Sequence, residues 1–137
     1  MKQPDTEAAR WLAQGQDDVQ FARWLLSENR GFDKGCFIAQ QAAEKALKAV
    51  LYLGGARSIL GHSVAELLKR AATRHPALAG YRADAMQLDR FYIPTRYPNG
   101  LPAGTPFENY TREDLEKAVV MAEGIVAAAA AIVSAVP

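Results

Sequence analysis

Residues 34–53 read KGCFIAQQAAEKALKAVLYL, and this stretch decides the fold. Its apolar residues recur at the spacings that place them on one half of an α-helix. We expect Asp33 to cap this helix and Gly54-Gly55 to end it. Because the apolar half is rich in alanine, a neighbouring helix can approach it closely. The apolar half consists of Cys36, Ile38, Ala39, Ala42, Ala43, Ala46, Leu47, Ala49, Val50 and Leu53.

The opposite half of this helix carries a polar stripe. Glu44 and Lys48 have the i,i+4 spacing and the order of a stabilising ion pair. The stripe is either a solvated face or a surface for a ligand or partner, and the sequence leaves both open. Three apolar residues also lie on this half, where a dimer partner could cover them: Phe37, Leu51 and Tyr52. The polar stripe itself consists of Gln41, Glu44, Lys45 and Lys48.

The remaining segments also have helical patterns. We expect Ser63 to open the third helix with a capping box that includes Glu66, and Thr111 to cap the last helix. Four prolines exclude a regular helix or central strand between Ile93 and Asn109. The pattern therefore predicts an all-α fold, a helical bundle of three long and two short helices in one domain over residues 1–137. The predicted helices cover about residues 6–29, 34–53, 63–75, 81–91 and 112–134.

Composition excludes several classes of protein. The chain is 50% hydrophobic, which is enough for a core and excludes a disordered protein. One cysteine, Cys36, excludes a disulfide scaffold, and its position on the apolar helix half predicts an inert, buried thiol. The net charge of +1 excludes a strongly basic nucleic-acid binder. No apolar run follows Met1, and the uncharged residues 124–137 are shorter than the ~18 a membrane span needs. We expect a cytoplasmic protein without a membrane segment.

The sequence lacks the usual marks of a metal or cofactor site. It has two histidines, no HExxH or CxxC spacing and no glycine-rich phosphate loop, so we expect no metal and no cofactor. His62 precedes the third helix, where free N–H groups could hold a phosphate, or where it could close the loop by a hydrogen bond. Arg96, beside Tyr97 in a proline-stiffened loop, could bind a base or a phosphate, or could pin the loop to the bundle.

Residues 36–49 resemble the signature of the HEPN (higher eukaryotes and prokaryotes nucleotide-binding) domain family. Further family marks follow in order at Asp17-Asp18, Gly61-His62-Ser63, Leu88-Asp89 and Arg96-Tyr97-Pro98, and the resemblance extends from about residue 7 to 133. It implies an up-and-down helical bundle that forms a homodimer. It also implies a minimal nucleotidyltransferase as partner, in a pair that resembles toxin–antitoxin or phage-defence modules. By position, the implied nucleotide or partner surface comprises Gln41, Glu44, Lys45, Lys48, His62, Arg96 and Tyr97.

Many members of this family are ribonucleases, which carry an Arg, four to six residues and then a His at the dimer cleft. Arg57 and His62 fit this spacing, as do Arg70 and His75. Arg57 falls in a loop and His75 precedes Pro76, whereas the nuclease branch sets its motif against a later helix. We therefore predict a module that binds a nucleotide or a partner. The alternative is a metal-independent ribonuclease in which His62 acts as general acid or base and Arg57 holds the phosphate.

Overall fold

The long helix predicted from residues 34–53 is the centre of the fold. The structure, a computed structural model, describes residues 3–135 and contains no strand in that range. Short 3₁₀ segments cover Pro76–Tyr81 and Pro98–Gly100. The α-helices are α1 (Pro4–Ser27), α2 (Phe32–Leu53), α3 (Val64–Ala72), α4 (Arg82–Asp89), α5 (Pro106–Asn109) and α6 (Arg112–Ser134).

Helix α2 lies between α1 and α6, and the short helices α3 and α4 cover the remaining side of the bundle. The alanine-rich half of α2 is buried, as predicted, and it allows α1 to pack very closely. At Gly15 of α1, a Cβ atom would lie 2.9 Å from the carbonyl oxygen of Ala42 and 3.3 Å from the amide nitrogen of Ala46. Only glycine fits this crossing without moving a backbone. The predicted all-α helical bundle is confirmed.

The start of α2 differs from the prediction. Gly31, in the left-handed conformation with φ 63°, occupies the N-cap position that we expected Asp33 to fill. Asp33 lies instead inside the first turn, where its buried carboxylate still faces the positive end of the helix dipole. The prediction also missed one helical turn, α5, in the proline-rich segment. Pro106 begins this turn, at a position where a proline needs no backbone N–H.

Two of the three apolar residues on the polar half of α2 have aromatic contacts. Within the chain, the ring of Tyr52 stacks on Trp11 at a centroid distance of 5.5 Å. Phe37 packs against Tyr92 and lies under the guanidinium of Arg96. Both aromatic residues remain half-buried, so their cover by a dimer partner stays a prediction.

Helix α6 packs against α2 and α1 through alternating alanines and larger aliphatic residues. A bidentate ion pair between Arg23 of α1 and Glu123 of α6 closes the same side, with N–O distances of 2.5 and 2.7 Å. This bonding raises the pKa of Arg23. Among residues 3–135, α6 is the one helix whose length and hydropathy would allow it to cross a membrane; a third of its most apolar stretch is buried in the bundle.

Candidate functional site

The polar stripe on α2 is a buried hydrogen-bond network. Glu44 is 3% exposed, Lys48 is 6% exposed and Gln40 is fully buried, so a solvated face is the wrong interpretation for this part of the helix. One carboxylate oxygen of Glu44 accepts from Lys48 Nζ at 3.1 Å, and the other accepts from the amides of Gln40 and Gln41 at 3.2 and 3.3 Å. We call Gln40, Gln41, Glu44 and Lys48 the polar network.

His62 connects this network to the surface. Its Nδ1 lies 3.2 Å from Glu44 Oε2, and its backbone carbonyl accepts from Gln40 Nε2 at 2.9 Å. Because an ionised carboxylate can only accept, Nδ1 carries the proton in this contact, and in the tautomer that it selects Nε2 has a free lone pair. The His62 side chain is 56% exposed, so a solvent-side molecule can reach the ring.

The N-terminus of α3 cannot hold the phosphate that we considered there. Asp89, the last residue of α4, accepts from Ser63 Oγ at 2.7 Å, from the amide of Val64 at 2.6 Å and from that of Ala65 at 3.3 Å. The Ser63 hydroxyl accepts from the amide of Glu66, as predicted, but the reciprocal bond of the expected capping box, from the Ser63 amide to the Glu66 carboxylate, is absent from the described residues, and the Asp89 carboxylate binds other donors of this helix end. The helix end is thus already occupied by a negative charge.

Arg96 forms the cationic part of the surface. Its guanidinium carbon lies 4.4 Å from the ring centroid of Phe37, 4.5 Å from that of Tyr92 and 5.2 Å from that of Tyr97. Nε donates to the Tyr92 carbonyl at 2.7 Å, and no carboxylate among residues 3–135 pairs with this side chain. The two terminal nitrogens therefore remain able to donate to an anion.

Tyr92 brings the two halves of the surface together. His62 stacks on the Tyr92 ring with a centroid distance of 5.0 Å and an interplanar angle of 17°, and Arg96 packs against the same residue. We call Phe37, His62, Tyr92, Arg96 and Tyr97 the surface cluster. It combines a hydrogen-bond acceptor, a cation and exposed aromatic surface, which together suit a phosphate with a base or ribose attached.

Other candidate residues lie apart from this cluster. Lys45 bonds Asp18 of α1, with an Nζ–Oδ2 distance of 2.6 Å, and so ties two helices together. Arg57 is exposed in the loop after α2, and no hydrogen bond or ring contact within the described chain joins it to His62. Arg70 and His75 lie at the far end of α3. The catalytic roles of Arg57 and His62 stay predictions.

Comparison with known proteins identifies the family. The family model described as the HEPN domain matches residues 8–132 of this chain. The chain belongs to the HEPN domain family. A crystal structure of TT1696 from Thermus thermophilus is 35% identical, covers 92% of this chain and 98% of its own, and superposes with a TM-score of 0.85. ST0689, described as an archaeal HEPN homologue, is 31% identical over 97% of this chain and 99% of its own, with a TM-score of 0.76.

A curated relative bears a functional name. The protein "Putative toxin MJ1304" of Methanocaldococcus jannaschii is 27% identical over 126 residues, which is 86% of this chain and 82% of that protein. A HEPN domain protein of Thermotoga maritima, tm0613, is 30% identical over 91% of this chain and 98% of its own, with a TM-score of 0.71.

Three residues of the site in this HEPN domain are not among those predicted from the sequence. They are Gln40, Tyr92 and Trp11. Lys48 Nζ lies 5.5 Å from the Trp11 ring centroid, so the face of this ring packs against the polar network. The one available signal was the helical position of Gln40, which lies a single turn before Glu44 and on the same face.

Proposed function

We propose that this chain is a binding module whose surface cluster recognises a phosphate-bearing nucleotide or RNA segment. The observation that supports this most strongly is Arg96. A guanidinium that lies over three aromatic rings without a carboxylate partner among residues 3–135 is a site for an anion. His62 would accept a hydrogen bond from a ribose hydroxyl at its exposed Nε2, and Tyr97, 49% exposed, would offer a stacking face to a base.

The test is a binding titration with matched arginine variants. We expect Arg96→Gln to weaken binding of a fluorescein-labelled single-stranded RNA about tenfold, since one charge-assisted contact of this kind contributes roughly 1.4 kcal/mol. Arg90→Gln is the control, because Arg90 is an exposed arginine six residues earlier with a side-chain contact, at 3.5 Å, to Gln87. Equal losses in both variants would reduce the interaction to general charge attraction and contradict the proposal.

The module would act as a homodimer beside a minimal nucleotidyltransferase encoded next to it, in a toxin–antitoxin or defence-like pair. The name of the Methanocaldococcus relative supports the toxin side of this pair. Expression of this chain alone is expected to slow growth, and co-expression of the neighbouring nucleotidyltransferase is expected to restore it. Sedimentation of the purified protein tests the dimer. Normal growth with the chain alone would contradict a toxin role while leaving RNA binding open to its own test.

A ribonuclease is the second candidate, and the Glu44–His62 pair favours it. With Nδ1 held by the carboxylate, Nε2 is suited to take the proton of a ribose 2′-hydroxyl. The 2′-oxygen would then bond to phosphorus while the bond to the 5′-oxygen breaks and that oxygen takes up a proton. Arg57, or Arg96 in its place, would hold the phosphate.

Cleavage of labelled single-stranded RNA in EDTA separates this activity from binding. Loss of cleavage in His62→Ala would establish the ribonuclease, and comparison of Arg57→Ala with Arg96→Ala would identify the arginine involved. Binding without cleavage by the native chain would leave the module as the function.

A further inference from the structure

An open cavity lies at the opposite end of α3 from His62. It has a volume of about 500 Å³ between the ends of α2 and α3, in the range of sites for small organic ligands. Its walls are apolar and its rim is basic, with no acidic side chain among the lining residues. The basic residues are Arg70, Arg74 and His75, and the apolar wall includes Val50, Leu51, Ala56 and Ala71.

Helix capping explains only part of this basic rim. The C-terminal end of a helix attracts cations, and Arg74 meets that need by donating from Nη1 to the carbonyl oxygen of Gly54, the residue after α2, at 2.9 Å. The side chains of Arg70 and His75 make no hydrogen bond or ion pair with residues 3–135. Arg70 on the last turn of α3 and Arg74 in the turn that follows the helix both line this cavity, so two like charges face the same space. An anion between them would relieve their repulsion.

We propose that this cavity binds a phosphate ester with a flat apolar body, the chemical class to which nucleoside monophosphates belong. The guanidinium groups of Arg70 and Arg74 match the geometry of a phosphate, and His75 adds a further donor. The half-buried side chains of Leu51 and Ala56 would contact the flat body. This site shares no residue with the surface cluster and does not depend on the function proposed there.

Phenyl phosphate is a minimal probe of this chemistry. In calorimetric titration of the full chain, it is expected to bind about tenfold more tightly than inorganic phosphate or phenol, because only the ester uses both rim and wall. Arg70→Gln is expected to weaken phenyl phosphate about tenfold. Arg70 has no partner within residues 3–135, so the variant keeps its fold. Lys69→Gln removes the same charge next to the cavity, and should change affinity less than twofold.

Two outcomes would overturn the proposal. Equal weakening in Lys69→Gln and Arg70→Gln would mean that the ester responds only to net charge. Weakening in Arg96→Gln with unchanged binding in Arg70→Gln would place the ester at the surface cluster. Amide chemical shifts give an independent readout: saturating phenyl phosphate should move the signals of Gly54 and Gly55, and unmoved signals there would also refute the site.

Discussion

Glu44 and Lys48 are a buried ion pair in which the two partners depend on each other unequally. Glu44 accepts from four donors, those of Gln40, Gln41, Lys48 and His62. Within residues 3–135, Lys48 has Glu44 as its one bonded acceptor, besides the Trp11 ring. Glu44→Gln leaves a buried ammonium without a counter-ion, which costs about 3 kcal/mol. Lys48→Met leaves Glu44 with three donors and costs about 1 kcal/mol.

The double variant tests this asymmetry. Simple addition gives about 4 kcal/mol, but Glu44→Gln with Lys48→Met removes the unpaired cation, so we expect a total near 2 kcal/mol and a coupling of about 2 kcal/mol. The assay is urea unfolding at pH 7, followed by circular dichroism at 222 nm, for the four members of the cycle. Single variants of equal cost, or additive costs in the double variant, would refute the reasoning.

Helix α6 offers a matched control for this cycle. Glu113 and Lys117 have the same i,i+4 order and the same 3.1 Å distance, but their side chains are about 70% exposed. Solvent screening should therefore bring their coupling energy close to zero. A coupling as large as that of Glu44 and Lys48 would show that spacing, not burial, determines the energy.

Three further predictions concern the fold. Asp89→Asn should lower the free energy of unfolding by about 1–2 kcal/mol in urea titrations, because three donors at the start of α3 lose a charged acceptor. Asp84→Asn, which also changes a carboxylate of α4, should leave the free energy of unfolding unchanged. Gly15→Ala should cost about 1–3 kcal/mol in the same assay, since the new Cβ meets the Ala42 carbonyl, whereas Gly80→Ala meets open space. Burial, with smaller contributions from Asp114 and Asp33, raises the pKa of Cys36 from 9.0 to about 12, so the folded chain should not react with DTNB at pH 8.

The thiol of Cys36 also predicts a pH dependence of stability. The unfolded chain loses the thiol proton near pH 9 while the folded chain holds it to about pH 12, so stability falls as pH rises through that range. Relative to Cys36→Ala, the native chain should lose about 1.4 kcal/mol per pH unit there. Parallel curves for the two proteins would contradict a raised thiol pKa.

Equal stability of Asp89→Asn and Asp84→Asn would contradict the prediction for Asp89. Equal stability of Gly15→Ala and Gly80→Ala would contradict the prediction for Gly15.

The long helices could be predicted from sequence because hydrophobic periodicity reports directly on burial. The apolar half of α2 and the close approach through its alanines are of this kind. The N-cap of α2 was harder to predict, since both Gly31 and Asp33 suit a helix start and their choice depends on how the preceding loop turns. Similarly, Glu66 satisfies the local rule for a capping box, but the start of α3 is held by a distant carboxylate, that of Asp89, which binds the amides of Val64 and Ala65.

The candidate site shows the same limit more clearly. A stripe of Glu44, Lys48 and Gln40 on one helix has the composition of a solvated face, but the loop that carries His62 and the ring of Trp11 pack against it. Nothing in the local sequence indicates that His62 stacks on Tyr92, thirty positions later. Arg96 could be singled out because its proline-stiffened loop and aromatic neighbours are local features.

The three bonds that Asp89 accepts fix the separation between the loop before α3 and the segment after α4. His62 immediately precedes Ser63, and Tyr92 lies three residues after Asp89. The two rings are therefore attached to the same pair of short helices, α3 and α4. Opening of the site to hydrogen exchange should therefore follow the cooperative opening of α3 with α4, rather than the fraying of one loop. The amides of Val64 and Ala65 would then exchange at one common rate, and that rate would measure how often the surface cluster opens.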